Sequence, residues 1–216
     1  MQDAILHYEE CEMNDVILID AGTGNLRSVQ KALECVGANV ERTDDPKKVL
    51  SGKKLTLPGV GAFGVFMSGL RARGLEDAVK RVAVEGVPLL GICVGMQALF
   101  EFGYEMGEHA GLGLFAGTVK RFAESPAVKI PHTGWNQVEV QSDARLFNTI
   151  ESGAYVYFNH SYYCQPLNEA HVIATTEYEI KYACAVQCEN IFGVQFHPEK
   201  SQIVGLQILK NFLGLP

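Results

Sequence analysis

Nowhere in this chain do two cysteines stand as Cys-x-x-Cys, and its six histidines fall into no metal-ligand spacing. Zinc frameworks of the common kinds are therefore not expected, and cysteines at 11, 35, 93, 164, 184 and 188 do not read as a disulfide scaffold. Basic residues are the minority, 18 Lys and Arg against 25 Asp and Glu, with a net charge of −7 and no basic run. A phosphate-backbone partner is not expected. Apolar stretches long enough to span a bilayer are missing, and the start Met1-Gln2-Asp3-Ala4 shows neither a basic n-region nor an apolar h-region. The cytoplasm is the expected location. Gly22-Thr23-Gly24-Asn25 carries Arg27 where a dinucleotide fingerprint needs its third glycine, so no nucleotide cofactor is expected. Internal repeats are also lacking.

What the chain does have is a large apolar share, 47% of 216 residues, together with 22 glycines. That suits a single domain of buried strands joined by tight turns. Val16-Ile17-Leu18-Ile19 reads as a strand, and Leu26, Val29, Leu33 and Val36 then recur at helical spacing. The alternation continues with strands at 38–43 and 55–57, a short helix after Asp45-Pro46, helices at 63–71 and 75–85, and a strand at 87–92. Strands alternating with helices predict an α/β fold, a mostly parallel doubly wound sheet with helices on both faces. After about residue 110, short runs rich in β-branched and aromatic residues predict added antiparallel strands at 117–122, 136–140, 155–158, 171–176 and 182–187. Residues 191–196 return as a buried strand, and Ile203, Leu206, Leu209 and Phe212 give a closing helix its apolar face. Residues 1–12, acidic and ahead of a second methionine at Met13, read as an extension outside a domain spanning 13–216.

The chemistry concentrates at Gly91-Ile92-Cys93-Val94-Gly95. A buried strand delivering Gly-x-Cys-x-Gly into a helix is the cysteine form of the nucleophile elbow, and a helix N-terminus there favours the thiolate. A lone cysteine after an apolar run is also what a small, inert core residue looks like. Phe196-His197-Pro198-Glu199 ends the late strand. Proline extends the residue before it, and residues two apart in extended chain project to one side, so Glu199 can reach His197. Alone, this is equally a turn that ends a strand. Together, Cys93, His197 and Glu199 supply a nucleophile, a base and the carboxylate that orients it, from two loops on one sheet edge. The glycines of Leu57-Pro58-Gly59-Val60-Gly61 can turn backbone N–H groups into a cleft as oxyanion donors, or make a plain turn.

These segments resemble one family. Gly91-Ile92-Cys93-Val94-Gly95-Met96-Gln97, residues 193–201 and Pro58-Gly59-Val60-Gly61 together are similar to a class I glutamine amidotransferase domain. Residues 20–29, Pro131-His132-Thr133-Gly134-Trp135-Asn136 and Asn159-His160-Ser161-Tyr162-Tyr163 further resemble the branch that forms the glutaminase subunit of imidazole glycerol phosphate synthase in histidine biosynthesis. The resemblance covers about residues 13–216. Ala21 and Thr133 depart from that branch's pattern, which often has an aromatic residue and methionine there. The resemblance implies a Cys93-His197-Glu199 triad that hydrolyses glutamine, an oxyanion loop of Gly59, Val60 and Gly61, and glutamine held by Gly61, Gln97, Ser161 and Tyr162. It also implies a cyclase partner subunit with a (β/α)8 barrel that receives the ammonia, met by a rim of Asn25, His132, Trp135 and Lys200. No metal or other cofactor is implied. Other class I glutaminases and a non-catalytic module on the same fold stay open at this point.

Overall fold

The computed structural model describes residues 14–216; the expected extension at 1–12 lies outside the described residues. In its first half β1 (Asn14–Ile19), β2 (Ala38–Thr43), β3 (Leu55–Gly59) and β4 (Leu89–Cys93) alternate with helices α1 (Leu26–Cys35), α2 (Pro46–Leu50), α3 (Phe63–Ala72) and α4 (Leu75–Val84). α1 forms because Leu26, Val29, Ala32 and Leu33 make one buried stripe. α2 begins where the Asp45 carboxylate accepts from Lys47 N and Pro46 occupies the first turn. Every residue of β3 and β4 is buried, so both faces of the sheet are covered there. One cover contains α1 and α6 (Gln202–Leu213), the other α2, α3 and α4.

The second half continues through α5 (Val94–Ala98), β5 (Phe100–Gly103), β6 (His109–Ala110), β7 (Phe115–Arg121), β8 (His132–Gln137), β9 (Glu139–Val140), β10 (Tyr155–His160), β11 (Tyr162–Pro166), β12 (Val172–Tyr178), β13 (Ile180–Cys188) and β14 (Ile191–Val194). The main sheet runs β2-β1-β3-β4-β14-β13-β11-β7-β5-β6, with β12 on β13 and β9 on β12. From β2 to β14 it is parallel; beyond β14 it is antiparallel except where β5 meets β7. This is the expected α/β sheet with antiparallel strands added. β14, last in sequence, sits near the middle, beside β4, with Val194 opposite Ile92.

Two expectations need correction. The strand expected at 136–140 is two: β8 pairs with β10 in a separate two-stranded sheet, while β9 joins β12 in the main one. The chain changes sheets at buried Val138, whose N–H is taken by Ala154 O. The helix expected after Cys93 is present and is five residues long; Leu112 and Leu114 donate to the carbonyls of Ala98 and Leu99, so the chain passes into β5. The buried face of α6 is Gly205, Ile208, Leu209, Phe212 and Leu213, whereas Ile203 is 82% exposed. Gly205 decides this, since a Cβ there would stand 1.9 Å from Pro198 O. Among the described residues, no helix is long and apolar enough to cross a membrane.

Candidate active site

β4 ends on Cys93 with φ +55° and ψ −112°, a backbone conformation side-chain-bearing residues rarely adopt. Two glycines make the turn feasible by letting main chain approach main chain. A Cβ on Gly91 would lie 2.7 Å from Gly95 O, and one on Gly95 would lie 1.8 Å from Leu57 O. The Cys93 side chain is thus fixed by the crowding of α5 against β3 and β4. Because α5 barely exceeds one turn, its dipole adds less than a longer helix would.

The parallel register places Gln195 level with Cys93 and carries the chain to His197 at the same edge. His197 is anchored by its N–H to Tyr157 O at 2.9 Å, and its carbonyl accepts from Ser201 Oγ at 2.7 Å. Its Nδ1 meets Glu199 Oε1 at 2.9 Å, and Cys93 is near enough to act on the charge of the imidazole. Both side chains of the His–Glu pair are buried. Glu199 Oε2 has no partner among the described residues, so the imidazole is what balances the carboxylate. Burial alone would depress the His197 pKa. Its interactions with Cys93 and Glu199 overcome that and raise it to about 10.

Next to His197 opens a cleft of about 420 Å³. Its walls include Gly61, Gln97, Ser161 and Tyr162, the residues expected around glutamine, and Val60 of the expected oxyanion loop. Gly59 is paired opposite Cys93, which puts that loop beside the end of β4, and Gly61 takes φ +89° with no atom where a Cβ would point. Gln97 is buried and donates through Nε2 to Tyr162 O at 3.0 Å and Gln195 Oε1 at 3.1 Å. Sequence reading missed Gln195 and also Glu105, which lines the cleft and accepts from Phe63 N at 2.7 Å. Glu105 sits in no motif; its signal is spatial only. Larger clefts, of about 880 and 800 Å³, lie elsewhere and do not include His197.

Of the expected rim, Asn25 caps α1 with its carbonyl, which accepts from Ser28 and Val29. Trp135 is 45% exposed, edge-on to Tyr157, and Lys200 Nζ lies 5.4 Å above the same Tyr157 ring. Tyr157 therefore links the rim to the His197 backbone. His132 needs correction: it is buried, stacked between Phe158 and Tyr178, because its ring completes an aromatic cluster and does not face outward.

His132 belongs to a buried polar chain. His160 Nδ1 lies 2.7 Å from Tyr162 O, which can only accept, so His160 Nε2 is left as acceptor for the Tyr182 hydroxyl at 3.0 Å. Tyr182 in turn accepts from His132 Nδ1 at 3.0 Å. Burial lowers the pKa of His160 to about 3 and of His132 to about 4, so both are neutral when folded. An unfolded histidine titrates near 6.5, so these two contribute stability that is complete above that pH and is lost as pH falls toward 4 and 3. His197 has the opposite sign, contributing below 6.5 and losing its contribution as pH rises through about 10. Urea midpoints are expected to fall between pH 6.5 and 5, as the unfolding free energy drops by on the order of 1 kcal/mol per histidine per pH unit. An unchanged midpoint across that window would contradict the neutral pair.

Residues 17–214 match the model of the family described as Glutamine amidotransferase class-I. The chain is 48% identical over 204 residues to the imidazole glycerol phosphate synthase subunit HisH of Salinibacter ruber, covering 92% of this chain and 94% of that protein. It is 50% identical over 200 residues to the protein of the same name from Moorella thermoacetica, covering 93% and 94%. Among solved structures, one described as a glutamine amidotransferase superposes with a TM-score of 0.73 at 22% identity, over 92% of this chain and 99% of that one. PurLQS from Thermotoga maritima gives 0.72 at 19% identity, over 92% and 97%. Those two likenesses concern the fold.

Proposed function

Since the chain belongs to the class I glutamine amidotransferases, we propose that Cys93, His197 and Glu199 are the triad with which it hydrolyses glutamine as the glutaminase subunit of imidazole glycerol phosphate synthase, in histidine biosynthesis. The observation that supports the triad is the β4–β14 pairing, which brings the end of β4 at Cys93 and the segment carrying the His197–Glu199 pair to one sheet edge, with His197 lining a cleft there.

In this reading the Cys93 sulfur attacks the side-chain amide carbon of glutamine, and charge collects on the amide oxygen. Backbone N–H groups of Gly59, Val60 and Gly61 are the donors for that oxygen. His197, which holds its proton at neutral pH, gives it to the departing nitrogen as the C–N bond breaks and ammonia leaves. His197 then takes a proton from water as the water attacks the γ-glutamyl thioester, releasing glutamate and returning the thiolate beside the protonated imidazole. Glu199 keeps Nδ1 engaged throughout, so that the other ring nitrogen faces the sulfur. Gly61, Gln97, Ser161 and Tyr162 hold the glutamine; Glu105 and Lys200 bring one charge of each sign to the cleft, which suits the two ends of an amino acid.

The ammonia passes to a (β/α)8-barrel cyclase subunit, which makes imidazole glycerol phosphate and an aminoimidazole carboxamide ribonucleotide, in a cytoplasmic heterodimer. Asn25, Trp135 and Lys200 are the rim the barrel meets, with His132 supporting it from beneath. Ammonia made without an acceptor is wasted, so the isolated chain is expected to release glutamate very slowly and to be stimulated at least about 10-fold by the ligand-loaded cyclase subunit. Measuring glutamate with and without that subunit tests the reading. No release in either case would overturn it.

A further inference from the structure

The Cys93 sulfur has a second neighbour that the triad does not account for. Gln195 is completely buried, and its side-chain Nε2 lies 3.7 Å from Cys93 Sγ, within hydrogen-bonding range for sulfur. We propose that Gln195 is a catalytic residue, donating an amide N–H to the Cys93 sulfur to stabilise its charged form and aim it at the substrate. The proposal rests on the reading of Cys93 as nucleophile.

The direction of that amide is dictated by its surroundings. Tyr162 O is a carbonyl and can only accept; it receives His160 Nδ1 at 2.7 Å and Gln97 Nε2 at 3.0 Å. Gln97 must therefore turn its nitrogen toward Tyr162. The same nitrogen reaches Gln195 at 3.1 Å, so the atom of Gln195 facing it is the oxygen. With its oxygen committed, Gln195 presents its NH2 group to Cys93. A backbone carbonyl thus sets the polarity of two successive amides, and the last N–H ends on the nucleophile. Reversing the Gln195 amide would oppose donor to donor at Gln97 in a buried site, which burial makes costly.

The β-sheet holds the base of this arrangement still. Gln195 N donates to Cys184 O at 2.8 Å, and the preceding residue is in register with Ile92, just before Cys93. The Gln195 amide occupies one lone-pair direction of the sulfur. Its remaining electron density is free for the amide carbon. A thiolate gains more from a donor in a water-poor site than a thiol does, so the bond acts on reactivity beyond packing.

The test is alkylation of Cys93 by iodoacetamide in the full-length chain, followed by peptide mass to separate it from the other cysteines, across a pH series. Gln195→Met keeps length and removes the N–H. It is expected to move the pH of half-maximal alkylation upward by about one unit and to lower kcat for glutamine at least about 10-fold in the complex, with KM within about 2-fold. Gln195→Glu keeps the oxygen for Gln97 and faces the sulfur with a carboxyl group; it is expected to shift the profile further. It is the variant to read if the methionine variant fails to fold. An unmoved alkylation profile in a folded variant, or a rise in KM alone, would overturn the proposal by assigning Gln195 to Gln97 and substrate. Slow, pH-featureless alkylation of the unmodified chain would remove the nucleophile reading itself, and the proposal with it.

Discussion

Cys93→Ala is expected to lower glutamine-dependent turnover by at least about 10⁴-fold while leaving the cyclase complex active with ammonium salts. The asymmetry follows from what the substitution removes. Alanine keeps the Cβ and fits the same φ +55° turn as well as cysteine does, so β4, α5 and the glycine contacts around them are retained. Only the sulfur goes, and with it the bond to the γ-carbonyl. Water cannot substitute for it, because the side chain is buried and no hydroxide is generated at that point. The partner's own reaction needs ammonia, whatever its source. Loss of both activities, with an altered urea midpoint, would instead mean that Cys93 holds the turn together and does no chemistry.

Gly95→Ala is expected to be the more damaging change for the fold, costing on the order of 4 kcal/mol or more and leaving little soluble protein. Its Cβ would stand 1.8 Å from Leu57 O and 2.9 Å from Leu57 C, both main-chain atoms of β3. Neither can rotate away. Relief requires moving α5 off β3, which breaks the pairing that sets Gly59 opposite Cys93. Gly37→Ala is the informative comparison: Gly37 takes φ +95° but has nothing within 4 Å of a Cβ, so it suffers conformational strain alone, about 1 kcal/mol. Comparable urea midpoints for the two variants would show that the close approach at Gly95 matters less than its geometry says.

Much of the first half of the chain is legible from its sequence because each element is short, strongly patterned and locally determined. Val16 to Ile19 is a continuous apolar run, and Leu26, Val29 and Leu33 form a stripe that no other period fits. The candidate triad is legible for a related reason: each part sits in a compact motif at the end of one strand. What could not be read depends on distant contacts. Ile203 has the hydrophobicity for the core, yet α6 turns Gly205 inward because only a residue without a Cβ lets the helix approach Pro198 O. His132 looks like a rim residue until Phe158 and Tyr178 close over it. Gln195 could be seen beside His197 in sequence, but its contact with Cys93 exists only through the pairing of β14 with β4, nearly half the chain away.

That pairing also sets an order on biosynthesis. β4 is made early and takes its second neighbour only when β14, almost the last segment to leave the ribosome, slides in between β4 and β13. Until then the nascent chain carries an apolar strand with one unpaired edge, a template for other chains. The same pairing covers that edge and brings the segment leading to His197 beside the end of β4 at Cys93. A chain cut short before residue 191 is therefore expected to leave that edge of β4 open and to lack His197 and Glu199 at the same time.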